Sequence, residues 1–258
     1  MLYLAVDVYL ALALTGKSVS YQNYINLEPE ELDRPVYRIM PVNRLLQCLE
    51  EKCLVLVPPR EWDDPFENYL LSAKVKLSST GESGDMSGMR DKVYGQCWTQ
   101  HHETDAMWRI YSSDANGAKV KTTPRKLLEA LKSSDPRFGD VTCFIGKVQY
   151  KTQKDLVSIL KNLDLFQPNG SGIAESLLYK RQEFSHEKEI RLIHTDGKGP
   201  IRAFDVEPND LFDSIVFDPR MDIYLYQAYE SAVKEKKFRG WVSQSVLYKP
   251  PKELLIRM

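Results

Sequence analysis

Apolar and polar positions change their period several times along the chain, and each change predicts an element. Val36 to Met40 predicts a short strand; Pro41 and Asn43 then introduce Arg44 to Glu50, whose apolar spacing fits a helix. Cys53 to Val57 is the next strand, and a helix-start signal follows: Asp64 as N-cap, Pro65 at the first helical position, Glu67 at the third. Ser, Gly and Asp dominate residues 78–91 and predict a flexible loop with few apolar anchors. Tyr94 to Thr99 predicts a strand, and Thr104 to Tyr111 a short helix with Met107, Trp108 and Tyr111 on one side. Asn116-Gly117 marks a turn, Lys119 to Thr122 a strand, and Thr123-Pro124 opens a helix through Leu131.

Farther on, Val141 to Tyr150 is β-rich, Leu156 to Leu165 helical, and Gln167 to Gly172 a turn into a helix ending near Arg181. The tail predicts strands at Glu189 to His194, Ile201 to Val206 and Asp213 to Phe217. Asp218-Pro219 caps a helix from Met221 to Lys234, and a last strand runs from Trp241 to Leu247. Strands and helices intersperse without a regular βαβ beat or a glycine-rich phosphate loop, which disfavours a doubly wound nucleotide fold. The expectation is an α+β fold, a mixed or antiparallel split sheet with flanking helices. Residues 31–258 form a single domain in this reading, after an N-terminal apolar segment at 1–30.

Composition narrows the function classes. At 258 residues and 43% hydrophobic the chain can bury a real core, and a net charge of −1 removes the global basic field of a general DNA-coating protein. Cys48, Cys53, Cys97 and Cys143 lack the paired spacing of a zinc site and read as reduced thiols of a cytoplasmic protein. Met1 to Gly16 is apolar but contains Asp7, lacks a basic leader region, and is shorter than the roughly 20 residues of a spanning helix. It reads as an amphipathic or buried segment, with no membrane association.

Candidate chemistry centres on Ser185 to Ile193, where charge falls on a strand. Alternation puts Glu187, Glu189 and Arg191 on one face and Lys188, Ile190 and Leu192 on the other, toward a core. That charged face is either an active-site rim or a solvated ion-pair cluster in which Glu189 pairs with Arg191 or Lys180. His101-His102 beside Glu103 and Asp105, and the pair His186 and His194, do not assemble a ligand set, so no metal is expected. A histidine general base at His101 or His186 stays open. Asp63, Asp64 and a later glutamate offer a metal-dependent nuclease, although the cap accounts for Asp64, Pro65 and Glu67 without a metal. Lys119, Lys121, Arg125 and Lys126 form a local basic face, read as solvated.

Three blocks in order are similar to a large bacterial domain family of unknown function whose relatives include abortive-infection proteins of phage-defence loci. They are Trp62 to Glu67; Cys97-Trp98-Thr99 with Met107 to Tyr111; and Lys180 with Glu187 to Ile193. Asp63 stands where that family usually has asparagine, and Ile190 where tryptophan is common.

The chain also resembles ADP-ribosyltransferase toxins, which build a split sheet around NAD. Tyr37-Arg38 followed by the Asn43 to Glu50 helix looks like the first element of those enzymes, Tyr111-Ser112-Ser113 the second, and Glu187-x-Glu189 the third. Ser112 and Ser113 follow a helix here, whereas the family's serine motif lies on a strand. The resemblance implies that NAD is a substrate and that Glu189 binds the nicotinamide ribose and stabilises oxocarbenium-like charge. It implies that Glu187 orients or deprotonates an acceptor, that Arg38, beside Tyr37, neutralises the pyrophosphate, and that Tyr111 or Trp108 stacks on nicotinamide. The implied partner is a macromolecular acceptor, protein or nucleic acid. The reading from a different class is a noncatalytic sensor or adaptor that binds a phage component or a partner defence subunit.

Overall fold

Three threonines set the rhythm of the chain by ending extended runs and starting helices. The hydroxyls of Thr104, Thr123 and Thr152 accept the backbone N–H of Met107, Lys126 and Asp155 at 3.1, 3.3 and 3.3 Å. The computed structural model describes residues 23–62, 64–68, 71, 74–76, 83–165 and 167–250. Met1 to Gly16 and Asp63 lie outside the described residues.

The first half of the chain forms β1 (Tyr24–Ile25), β2 (Val36–Pro41), α1 (Val42–Glu51), β3 (Cys53–Leu56), β4 (Lys74–Lys76), β5 (Ser83–Asp85), α2 (Ser87–Arg90) and β6 (Tyr94–Thr99). Next come α3 (Asp105–Tyr111), β7 (Gly117–Thr122), α4 (Pro124–Ser133), α5 (Gly139–Thr142), β8 (Cys143–Lys147) and β9 (Gln149–Lys151). The remainder holds α6 (Gln153–Asn162), α7 (Ser171–Ser176), β10 (Tyr179–Arg181), β11 (Glu189–His194), β12 (Arg202–Asp205), α8 (Pro208–Leu211), β13 (Ser214–Phe217), α9 (Ile223–Glu235) and β14 (Trp241–Gln244). Short 3-10 segments occur at Pro29–Glu31, Pro59–Glu61, Pro65–Asn68 and Gln182–Glu187.

These elements divide into two units. The first draws on residues 1–34, 54–100 and 123–205, the second on 35–53, 101–122 and 206–258. The first unit carries a run of strands ordered β1-β8-β11-β6, in which β1 is parallel to β8, and β11 is antiparallel to both β8 and β6. With a partner on each side, β11 is interior and every one of its residues is buried. Leu71, Met86, Val93, Phe144, Leu178 and Ile193 form a core cluster in this unit. The second unit carries β2-β7-β13-β14, antiparallel except for the parallel pair β13 and β14. Leu45, Trp108, Val120, Phe217 and Val233 are fully buried there. Each run is mixed, and the fold is α+β.

Four expectations change. The stretch at 78–91 holds β5, antiparallel to β4, and then α2, because Met86 supplies a buried apolar anchor to an otherwise polar segment. The helix expected to reach Arg181 stops at Ser176, and Tyr179–Arg181 pairs in parallel with β9. Asp218 does not cap the last helix: Asp222 does, accepting from Tyr224 and Leu225, while the Asp218 carboxylate accepts from Arg220. Tyr111 does not share the burial of Met107 and Trp108, with which helical spacing groups it on one side, and stands 43% exposed at the end of α3. No helix among the described residues is long and apolar enough to cross a membrane.

Candidate functional site

In the first unit, charged side chains separated by more than a hundred residues meet in the interior. The strand does not begin at Glu187: that residue ends the 3-10 turn, and Lys188 takes a left-handed backbone (φ 42°) before β11 starts at Glu189. Alternation then holds, with Ile190 and Leu192 buried on one face and Glu189 and Arg191 on the other. The Arg191 guanidinium is 0% exposed; Nη2 donates to Glu189 Oε2 at 2.7 Å and lies 3.0 Å from Glu67 Oε1. Its Nη1 donates to the Leu177 carbonyl at 2.6 Å, and the group sits 4.5 Å over the Trp62 ring. Gly95 on β6 permits this, since a Cβ there would stand 2.6 Å from Trp62 Cζ2.

Lys180 on β10 is the second cation. Its Nζ lies 2.7 Å from Glu67 Oε1, 2.5 Å from Glu187 Oε2 and 3.5 Å from Glu189 Oε2, with the Phe184 ring 4.7 Å away. The Glu189 backbone N–H donates to the Tyr150 hydroxyl at 2.9 Å, and Thr99 Oγ1 donates to the Glu187 carbonyl at 2.6 Å. Three buried carboxylates therefore share two buried cations, and one negative charge is in excess. The ionisation follows from that imbalance. Burial raises the Glu67 carboxyl above its ordinary value, more than Arg191 and Lys180 pull it down, with the Glu189 charge adding to the rise. Burial also opposes ionisation of Glu189, but Arg191 and Lys180 outweigh it, so Glu189 titrates below the usual carboxylate range. Burial pushes the Cys97 thiol well up, and the Glu189 charge adds to it.

The solvated ion-pair alternative is thus corrected in one respect. Glu189 pairs with both Arg191 and Lys180, on a face closed to solvent. Glu67, which the local sequence explains as part of the cap, is brought into this group by the tertiary fold. Asp64 does cap the turn, accepting the Phe66 N–H at 3.0 Å, and it also meets Arg181 Nη2 at 3.1 Å. Asp64 and Glu67 are thus each paired with cations, Arg181 for the first and Lys180 and Arg191 for the second, while Asp63, the third carboxylate of the nuclease alternative, lies outside the described residues.

The other expected residues lie in the second unit. Tyr37 and Trp108 flank Lys119, whose Nζ is 5.6 and 5.8 Å from their ring centroids. Lys119, only 4% exposed, donates to the His102 carbonyl at 2.8 Å and lies 3.4 Å from Glu103, so it is no part of a solvated basic face. Burial lowers its pKa, partly offset by Glu103. Trp108 is fully buried and its indole N–H donates to Glu103 at 2.8 Å, while His102 meets the Tyr37 ring edge-on at 5.3 Å. Arg38 lies half-buried on β2. Ser112 follows α3, and Arg220 Nη2 donates to the Trp108 and Ser112 carbonyls at 3.1 and 2.6 Å, a cation at the helix C-terminus.

Among the described residues, one group has the chemistry of a metal-ligand set: Asp135, Cys143 and His194 in the first unit, with ligand atoms all within 4.8 Å of one another.

Comparison with known proteins gives a partial match to one family model and distant structural likenesses. Residues 107–192 match a family described as "Protein of unknown function (DUF2971)". The match takes in Met107 to Tyr111, Lys180 and Glu187 to Leu192, and not the Trp62 or Cys97 blocks. No curated protein matches. The solved structure of Thermus sp. 2.9 DarT in complex with NAD+ is similar at 14% identity and a TM-score of 0.40, over 85% of this chain and 98% of that chain. The same protein with carba-NAD+ gives 12% identity and a TM-score of 0.38, over 84% and 97% of the two chains. With ADP-ribosylated ssDNA the values are 12%, 0.40, 86% and 97%. A likeness of this size carries no residue roles from one chain to the other.

Proposed function

We propose that this chain is an NAD-consuming enzyme of the ADP-ribosyltransferase type, a cytoplasmic toxin-like effector of bacterial phage defence that modifies a macromolecular acceptor. One observation carries the reading: Glu189, the first residue of a late interior strand, is buried yet kept ionised by Arg191 and Lys180. As the bond from ribose to nicotinamide breaks, positive charge develops on the sugar, and a fixed carboxylate in a water-poor site stabilises it without reorganising. Glu187, joined to Glu189 through Lys180, is the group that orients or deprotonates the acceptor.

A second reading, a noncatalytic sensor or adaptor of a defence system, is favoured by a specific fact. Glu189 Oε2 already has two cationic partners, so the cluster is accounted for as an internal ion-pair network. Following nicotinamide release from NAD, with protein and nucleic-acid acceptors added in turn, separates the two. The enzyme reading expects turnover that falls about 10²- to 10³-fold in Glu189→Gln at a temperature where the variant is folded. Absence of turnover in the unaltered protein with every acceptor class would sink it and leave the adaptor.

A further inference from the structure

The hydrogen-bonded end of β8 and β11 carries a group that the ion-pair cluster does not use. Cys143 opens β8 and His194 closes β11, and the antiparallel register sets them directly opposite one another. Directly opposed residues project to the same side of the sheet, which brings thiol and imidazole together. Asp135, in the connection between α4 and α5, completes the set from a different element.

Several details fit an ion better than a plain hydrogen-bonded triad. His194 Nε2 stands 3.4 Å from Asp135 Oδ2, long for a hydrogen bond. Two ligands each about 2.1 Å from a shared tetrahedral ion are separated by roughly 3.3–3.5 Å. His194 is 2% exposed, and the long Nε2 contact to Asp135 is the one hydrogen bond its ring makes among the described residues, the buried Nδ1 having none. The Cys143 thiol is fully buried, with the Thr142 hydroxyl 3.7 Å from its sulfur. That hydroxyl also donates to Asp135 Oδ2 at 2.8 Å, the type of outer contact that orients a ligating carboxylate. The Phe138 N–H donates to the other Asp135 oxygen at 3.3 Å, so the carboxylate is aimed from both sides.

We propose that Asp135, Cys143 and His194 form a zinc site that clamps the α4–α5 connection onto the β8/β11 end of the sheet, with a water from the half-buried Asp135 side as fourth ligand. Thiolate, imidazole and carboxylate are the borderline ligand mixture zinc accepts, and three protein ligands plus water is an established zinc arrangement. Charge balances as well. One thiolate and one carboxylate neutralise a dication, so the loaded site places no net charge in the interior.

The test uses the full-length protein, freed of metal with a chelator and titrated first with Co2+ and then with Zn2+. A thiolate-to-cobalt charge-transfer absorption should grow to one equivalent and be displaced by zinc. It should vanish in Cys143→Ser and persist in Cys48→Ser. Zinc should raise Tm by several degrees in the unaltered protein, and Thr142→Ala should bind it about tenfold more weakly. Asp135→Asn, a change at the least buried ligand, keeps the test decisive if the three interior variants fold poorly, since it too should lose at least about tenfold in zinc affinity. No charge-transfer band in the unaltered protein, its retention in Cys143→Ser, or unchanged affinity in Asp135→Asn would each overturn the site.

Discussion

Glu67 and Glu189 are fixed by the same two cations yet respond to acid in opposite directions. Glu67 titrates above its ordinary value of 4.5, so the folded chain binds that proton more tightly than the unfolded chain, and stability from this group rises as pH falls toward 4.5. Glu189 titrates below 4.5; its contribution is complete above that value and is lost as pH falls through the folded-state pKa. Denaturant unfolding across pH 7 to 3 should therefore show the Glu67→Gln deficit growing, and the Glu189→Gln deficit shrinking, as the solution is acidified. Deficits that run in parallel would mean that the excess charge is not held as described. At this scale the sequence was partly legible. Charge on a strand singled out Glu189 and Arg191 and suggested Lys180 as a partner, because buried ions must be paired. Glu67 was hidden because a local cap signal explained it fully, and only the tertiary fold brings it to Lys180.

Between the 3-10 turn and β11 the chain must turn sharply, and Lys188 does so with φ at 42°. Its carbonyl accepts the Gln100 N–H at 3.0 Å, so the backbone rather than the side chain holds the start of β11 in place. Lys188→Gly should accordingly be neutral or shift stability by less than about 1 kcal/mol, since glycine adopts this conformation freely. Lys188→Val should cost more than about 1–2 kcal/mol, because a β-branched residue there is a steric outlier. Thermal unfolding of the two variants checks this, and equal losses would place the effect in the lysine side chain. The capped starts of α3 and α4 were legible: Thr104 and Thr123 mark them by side chains that bond a backbone N–H only three residues on. Where local composition and tertiary burial disagree, burial decides. Met86 orders the segment around 83–90, and Asp218, expected as a cap, is taken by Arg220 while Asp222 starts α9.

For the molecule as a whole, 35 basic and 36 acidic residues nearly cancel, and the fold pairs many of them locally. Arg125 meets Asp33 at 2.8 Å, Lys147 meets Glu31 at 2.8 Å, Lys132 meets Asp140 at 2.7 Å and Lys121 meets Asp213 at 3.6 Å. Lys119 is withdrawn into the interior between two aromatic rings. Sheet order was not legible, because β1, β8, β11 and β6 are neighbours separated by long stretches of chain whose pairing no local signal encodes. Composition alone sets the net charge at −1, and these four pairs neutralise four of the basic side chains locally. A protein that holds duplex DNA without regard to sequence does so by displacing condensed counterions with clustered Lys and Arg, reaching roughly 10⁻⁴–10⁻⁶ M at physiological salt. This chain should bind random duplex more weakly than about 10⁻⁴ M under those conditions, measured by fluorescence anisotropy across a salt series. A nucleic-acid acceptor, if it is the substrate, is then selected by local contacts rather than by long-range attraction. Tight binding that falls steeply with salt would instead reveal a basic surface, and acceptor recognition would have to be sought there.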